Sequence, residues 1–174
     1  DETFYRPEPG TGDWLFQDER YSRWRDSDGS RLLWLCGGPG IGKTILAKQV
    51  ATKFLKGLDD HPQGVKLVFC FFPHGRLTDG KCADEDESRK LTCAKVACDL
   101  LYGILQQDES LFDGLKTELG NQNDYFFTNP CSLWKALKKA IQNFPKGPVY
   151  ILIDGIDGVE GSLCKELIER IRGL

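Results

Sequence analysis

Short apolar runs alternate with helical stripes along this chain. Residues 31–35, Arg-Leu-Leu-Trp-Leu, make an apolar run with glycines behind it. Residues 65–72 make a second, closed by Pro73, and residues 149–153 a third, ending at Asp154. Runs of this length bounded by turn residues predict buried strands. The stripes between them predict helices. Over 43–56, Ile45, Leu46, Val50, Phe54 and Leu55 share an inner side, and Gly57 is a stop signal. Over 89–107, Leu91, Ala94, Cys98, Leu101 and Leu105 form one face. A short helix is predicted over 110–119. Another spans about 131–144, with Asn129 as N-cap and Pro130 at the first helical position. Its core face is Leu133, Trp134, Leu137, Ile141 and Phe144, and Pro145 stops it. Ser162 caps a last helix running to about 171.

The remainder frames these elements. Residues 1–9 read as an irregular lead-in, and 10–174 as one domain. Over 13–25, Trp14, Tyr21 and Trp24 fall near helical spacing, and Asp28-Gly29 turns the chain afterwards. Residues 73–88 form a long polar loop ending in an acidic run, a length that marks a mobile or functional segment. The acidic run itself reads as a solvated surface. Strands alternating with helices predict an α/β domain with a mostly parallel sheet. The four tryptophans read as core packing rather than base-stacking groups.

Composition narrows the function. Hydrophobic residues make up 40% and charged residues 28% of 174 positions, as in an ordinary globular domain. The net charge of −3 gives no excess of cations to displace the counterions of nucleic acid, so nucleic acid is not an expected partner. No apolar run reaches the roughly 20 residues that span a bilayer. There is no Met, so the chain reads as a segment of something longer. Seven cysteines occur without a C-x-x-C pair, and the two histidines form no ligand cluster with zinc spacing. Cys36, Cys70, Cys93 and Cys98 lie among apolar residues, where a free thiol packs as a small hydrophobe. Reduced thiols predict a cytoplasmic protein.

The most specific signal is the run Gly37, Gly38, Pro39, Gly40, Ile41, Gly42, Lys43, Thr44. It fits G-x-x-x-x-G-K-[ST], the phosphate-binding Walker A loop, and lies between a predicted strand and a predicted helix. Triphosphate oxygens need several donors at once. A loop wrapped around them points backbone N–H groups inward, and glycines permit positive φ and close approach. Lys43 supplies a point charge to the phosphates, and Thr44 a hydroxyl ligand to Mg²⁺. The helix that follows aims its positive end at the same anion. A magnesium-triphosphate site also needs a carboxylate. Asp154 stands at the end of an apolar strand, where open α/β sheets place their ligands, and Asp157 follows it. Gly155 and Gly158 allow a sharp turn there, and Glu160 is the next acid along. The expected ligand is ATP or GTP with Mg²⁺. No N-K-x-D guanine-reading motif is present, which disfavours an ordinary GTPase without fixing the base.

The stretch Gly10-Thr-Gly-Asp-Trp-Leu-Phe, the Tyr-Ser-Arg-Trp ending at Trp24, and Ser-Arg-Leu-Leu-Trp-Leu-Cys running into the Walker A loop resemble the opening of a NACHT-type NTPase domain. The Phe-Cys-Phe-Phe strand and the Asp-Gly-Ile-Asp segment follow in the expected order. The likeness is to fungal NOD-like receptors and nephrocystin-type N-terminal NTPase domains, over about residues 8–174. It implies a three-layer P-loop NTPase of the signal-transducing STAND class. Such a domain holds nucleotide as a switch between resting and assembling states. It works with other domains of a parent protein, which self-assembles. Relatives in fungi act in nonself recognition and programmed cell death. By resemblance, the loop glycines, Lys43 and Thr44 cradle phosphate and metal. Asp154 holds Mg²⁺ directly or through water, and Asp157 positions the attacking water. Thr11 and Gly12 fall where relatives contact the base.

Two departures qualify this. The family has D-G-x-D-E here, and Gly158 stands in place of the Glu, which implies slow or absent hydrolysis. The chain ends at Leu174, before the strand that carries the family's phosphate-sensing Arg and before the winged-helix elements. In that fold the further strand lies between the Walker A and Walker B strands. A C-terminally truncated domain is therefore expected to show rearranged pairing or marginal stability. The alternatives are a competent AAA-like NTPase, which needs an acidic base and arginine fingers, and a degenerate scaffold that serves only as an interaction module.

Overall fold

The computed structural model describes residues 10–57, 66–72, 85–119, 124–144, 147–159 and 161–174. The expected lead-in over 1–9, Val65, the polar loop over 73–84, Pro145 and Glu160 lie outside the described residues, as does the side chain of Leu91. The chain divides into two compact units, Asp1–Gly57 and Leu58–Leu174.

Among its described residues the first unit has three helices: α1 (Asp13–Gln17), α2 (Glu19–Arg25) and α3 (Lys43–Gly57). The single helix expected over 13–25 is broken at Asp18, which is extended and caps α2 through its side chain. Its carboxylate accepts from the Arg20 backbone N–H at 2.8 Å and from both ends of the Arg20 guanidinium. Those bonds hold the Asp18 carboxyl down at about 2. A side chain satisfied this way competes with the continuing helix and ends it.

Helix α3 buries Ala47, Val50 and Ala51, with Phe54 half-buried, a stripe at the i, i+3, i+4, i+7 spacing. Leu55, expected inside, falls one position off that stripe and is 51% exposed. Rings secure the packing. Phe16 meets Tyr21 edge-on at 5.3 Å, and Trp24 meets Phe54 at 6.0 Å. The Lys53 ammonium lies 3.5 Å over the Phe16 ring.

The strand expected over 31–35 does not form. Leu32, Trp34 and Leu35 are 51%, 47% and 40% exposed. The reason is a matter of partners. An apolar run becomes a strand only when its N–H and C=O groups find a ladder. Here the Arg31 carbonyl is taken at 3.1 Å by the Trp24 indole N–H. The core role expected of the tryptophans fails for Trp14 and Trp34, 58% and 47% exposed. It holds for Trp134, which is buried and donates to the Cys93 carbonyl at 3.1 Å.

The second unit is α/β. Its described elements are β1 (Lys66–Phe71), α4 (Glu85–Gln107), α5 (Ser110–Leu119), α6 (Asp124–Thr128), α7 (Pro130–Gln142), β2 (Val149–Asp154) and α8 (Gly161–Arg172). Strands β1 and β2 pair in parallel, from Lys66 opposite Val149 to Phe71 opposite Asp154. Helix α4 starts inside the acidic run, at Glu85, earlier than the apolar stripe alone marks. It packs on β1 where Gly103 faces Val68 so closely that a methyl on Gly103 would come within 2.8 Å of a valine methyl. Its far end is tied down by Gln107, which donates to the Leu67 carbonyl at 3.0 Å. Helix α7 begins as expected. Asn129 caps it by accepting from the Ser132 N–H at 3.2 Å, with Pro130 in the first turn.

The core gathers Cys93, Ala97, Leu100 and Ile104 of α4, Leu133 and Leu137 of α7, and Leu167 of α8. Among the described residues, no helix is long and apolar enough to cross a membrane.

Thiol chemistry reports on this core. Cys70 of β1 is 6% exposed, and burial, helped by the Asp99 carboxylate, pushes its thiol up to about 11. Cys36 and Cys131 are exposed free thiols. The expected result with iodoacetamide at pH 8 is rapid labelling of Cys36 and Cys131. Cys70 should react about a hundredfold more slowly from its smaller thiolate fraction alone. Peptide mass spectrometry against time checks this. Equal labelling of Cys70 and Cys131 in folded protein would contradict the packing of β1.

Candidate functional site

The Walker A residues form one continuous loop in the first unit, running into α3. Gly40 and Gly42 have φ of +75° and +90°, left-handed values that side-chain-bearing residues rarely adopt. Idealised methyl groups built on Gly38, Gly40 and Gly42 meet nothing within 4 Å, so those backbone positions border open space. Helix α3 starts at Lys43, immediately past Gly42, and the Leu46 N–H closes its first turn on the Gly42 carbonyl at 2.9 Å. A helix start has backbone N–H groups without intrahelical acceptors. Donors of that kind, together with the helix dipole, favour an anion at this end of α3.

Lys43 bends back over its own loop. Its ammonium donates to the Gly37 carbonyl at 2.9 Å and to the Gly38 carbonyl at 3.1 Å. The cation thereby closes the loop into a ring. Thr44 is half-buried in the first turn of α3, while Ile41 is 65% exposed. The residue types therefore fit a phosphate group. There is open backbone, a helix N-terminus and an ammonium, and no acid stands between Gly37 and Thr44.

Asp154 and Asp157 belong to the second unit. Asp154 is the last residue of β2, half-buried, and its carbonyl accepts from the Phe72 N–H at 2.9 Å. Gly155 follows at φ +81°, and a single 3₁₀ turn, Ile156–Gly158, carries Asp157 exposed to solvent. The turn is closed by Gly158 N–H to the Gly155 carbonyl at 3.0 Å and Val159 N–H to the Ile156 carbonyl at 3.1 Å. Asp154 is thus fixed by the ladder and Asp157 by a turn.

Sequence reasoning missed Phe72. Its carbonyl lies 2.5 Å from where a Gly155 methyl would stand, so it holds the backbone that follows Asp154. The signal was the apolar run over 65–72 ending level with Asp154, but register is not visible in one sequence.

Residues 10–174 match the family described as nephrocystin 3, N-terminal. The chain belongs to that family, and its expected kinship with NACHT-type, nephrocystin-type domains is shown. It is also similar to a fungal protein, the vegetative incompatibility protein HET-E-1 of Podospora anserina. Identity is 25% over 148 residues, covering 83% of this chain and 10% of that protein. The chain thus spans a small part of the curated relative it matches. No solved structure matches it.

Proposed function

We propose that this domain is a nucleotide-operated switch that binds ATP or GTP with Mg²⁺ and hydrolyses it slowly or not at all. The observation that carries the reading is the loop Gly37–Thr44, with two left-handed glycines and an ammonium gathered at the start of α3. Lys43 exchanges its two carbonyl partners for phosphate oxygens, a stronger charge-assisted bond. The Gly40 to Thr44 backbone receives the same oxygens. The resemblance gives Thr44 and Asp154 the part of magnesium ligands, and magnesium neutralises phosphate charge when bound. The resemblance gives Asp157, exposed on its turn, the part of orienting a water. Gly158 offers no side chain to take that water's proton, and this is the basis for slow turnover.

The three-layer P-loop architecture, the cytoplasmic setting and a role in fungal nonself recognition and cell death belong to the same reading. They rest on the family and on the similarity to the incompatibility protein. The remaining domains of a parent protein are the partners such a switch would act on, by self-assembly.

The test is isothermal titration of the purified chain with Mg-ATP and Mg-GTP, paired with phosphate release. Saturable binding of at least one nucleotide, with turnover well below about 1 s⁻¹, is expected. Binding of neither would leave the domain as a scaffold. Faster phosphate release would make it a working NTPase.

A further inference from the structure

Gly37 is where the phosphate loop is tightest. A methyl group on its α-carbon would lie 1.9 Å from Ile41 Cδ1 and 3.1 Å from Cγ1. The Ile41 side chain therefore fills the space in which a residue at 37 would carry its own. Gly37 is not among the glycines with positive φ, so its missing side chain serves space and not backbone geometry. Yet Ile41 is 65% exposed and adds little to any core. An exposed apolar side chain folded against the first glycine of a phosphate loop calls for a local reason. The second contact on that glycine is the Lys43 ammonium, held on the Gly37 and Gly38 carbonyls.

We propose that Ile41 is a positioning residue: its side chain packs over Gly37 and clamps the loop in the shape that receives the phosphates. The clamp rests on the nucleotide-binding reading above and adds a residue to it. The Ile41–Gly37 contact touches no ligand. It reduces the number of shapes the empty loop explores, so less freedom is lost when phosphates arrive. Losing one such contact should weaken binding about tenfold, the scale of ordering one loop residue.

The test is a double-mutant cycle on the full chain with Ile41→Ala, Gly37→Ala and the double variant. Mg-ATP and Mg-GTP affinities are read by calorimetry, loop amides by hydrogen exchange without nucleotide, and fold by thermal midpoint. A methyl at position 37 evicts the Ile41 side chain, so both single variants remove the same contact. Each should bind about tenfold more weakly and exchange faster over 37–44. The double variant should be no worse than the weaker single, and the midpoint should stay put because Ile41 is exposed. Wild-type affinity and exchange in Ile41→Ala would overturn the clamp while leaving nucleotide binding intact. So would independent losses that multiply to about a hundredfold in the double variant. If the wild type binds neither nucleotide, the functional reading fails and exchange alone decides the clamp. Unchanged exchange in Ile41→Ala would then end it, and faster exchange would sustain it as a feature of the loop.

Discussion

Lys43→Ala should weaken binding of Mg-ATP and Mg-GTP by more than about a hundredfold, with little change in thermal midpoint. Two effects oppose, and the first dominates. The first is the charge itself. Truncating one partner of a charge-assisted contact in a complex costs about 2–5 kcal/mol, and each 1.4 kcal/mol is tenfold in affinity. The second is smaller and of opposite sign, because the variant has no ammonium to release from the Gly37 and Gly38 carbonyls. Both bonds are exposed, so the folded state loses little by them, and binding is where the loss should register. Lys43→Met separates the two contributions poorly, since it removes both. Lys43→Arg is more informative. It keeps the charge, but its planar fork does not reproduce a compact ammonium seated on two carbonyls. An intermediate affinity for Lys43→Arg would show that seating matters beyond charge. Equal affinity of wild type and Lys43→Ala for both nucleotides would sink the reading of this loop as a phosphate site.

Much of the second unit was legible in the sequence because its signals are local. Asn129 and Pro130 mark the start of α7 through one hydrogen bond and one fixed dihedral, and neither depends on distant residues. The apolar runs behind β1 and β2 are bounded by turn residues on both sides. The parallel pairing followed from the helices between them. What failed depended on partners. Residues 31–35 carry a strand-like run, but a run names no ladder, and the Trp24 indole takes the first carbonyl. Asp18 breaks the first helical stretch because a local cap outcompetes continuation, which periodicity cannot register. Helix α6 is only Asp124–Thr128, too short to show a period. Of the candidate site, the loop and its position at the start of α3 were readable from spacing. The folding of Lys43 onto its own loop and the packing of Ile41 on Gly37 were not, because both depend on loop geometry.

The backbone that carries Asp154 and Asp157 turns at a position with no side chain. Gly155→Ala should lower the stability of the second unit by about 3 kcal/mol and the thermal midpoint by roughly 10 °C. The first contribution is conformational. Gly155 has φ +81°, and a residue with a Cβ in the left-handed region costs about 1–2 kcal/mol. The second is steric. The new methyl would stand 2.5 Å from the Phe72 carbonyl oxygen and 3.3 Å from the Phe72 Cβ. That carbonyl cannot yield as a flexible side chain would. It is backbone, and the Phe72 N–H is bonded to the Asp154 carbonyl at 2.9 Å, next to the last rung of the β1–β2 ladder. Relief must come from shifting the turn that carries Asp157 or from opening the end of the ladder at Asp154. Either displaces one of these two acids. Gly158→Ala is the comparison. Its φ is not positive and its added methyl meets nothing within 4 Å, so its midpoint should match wild type. Parallel melts of the two variants check this. A Gly155→Ala midpoint within a degree or two of Gly158→Ala would mean that the Phe72 backbone does not hold this turn.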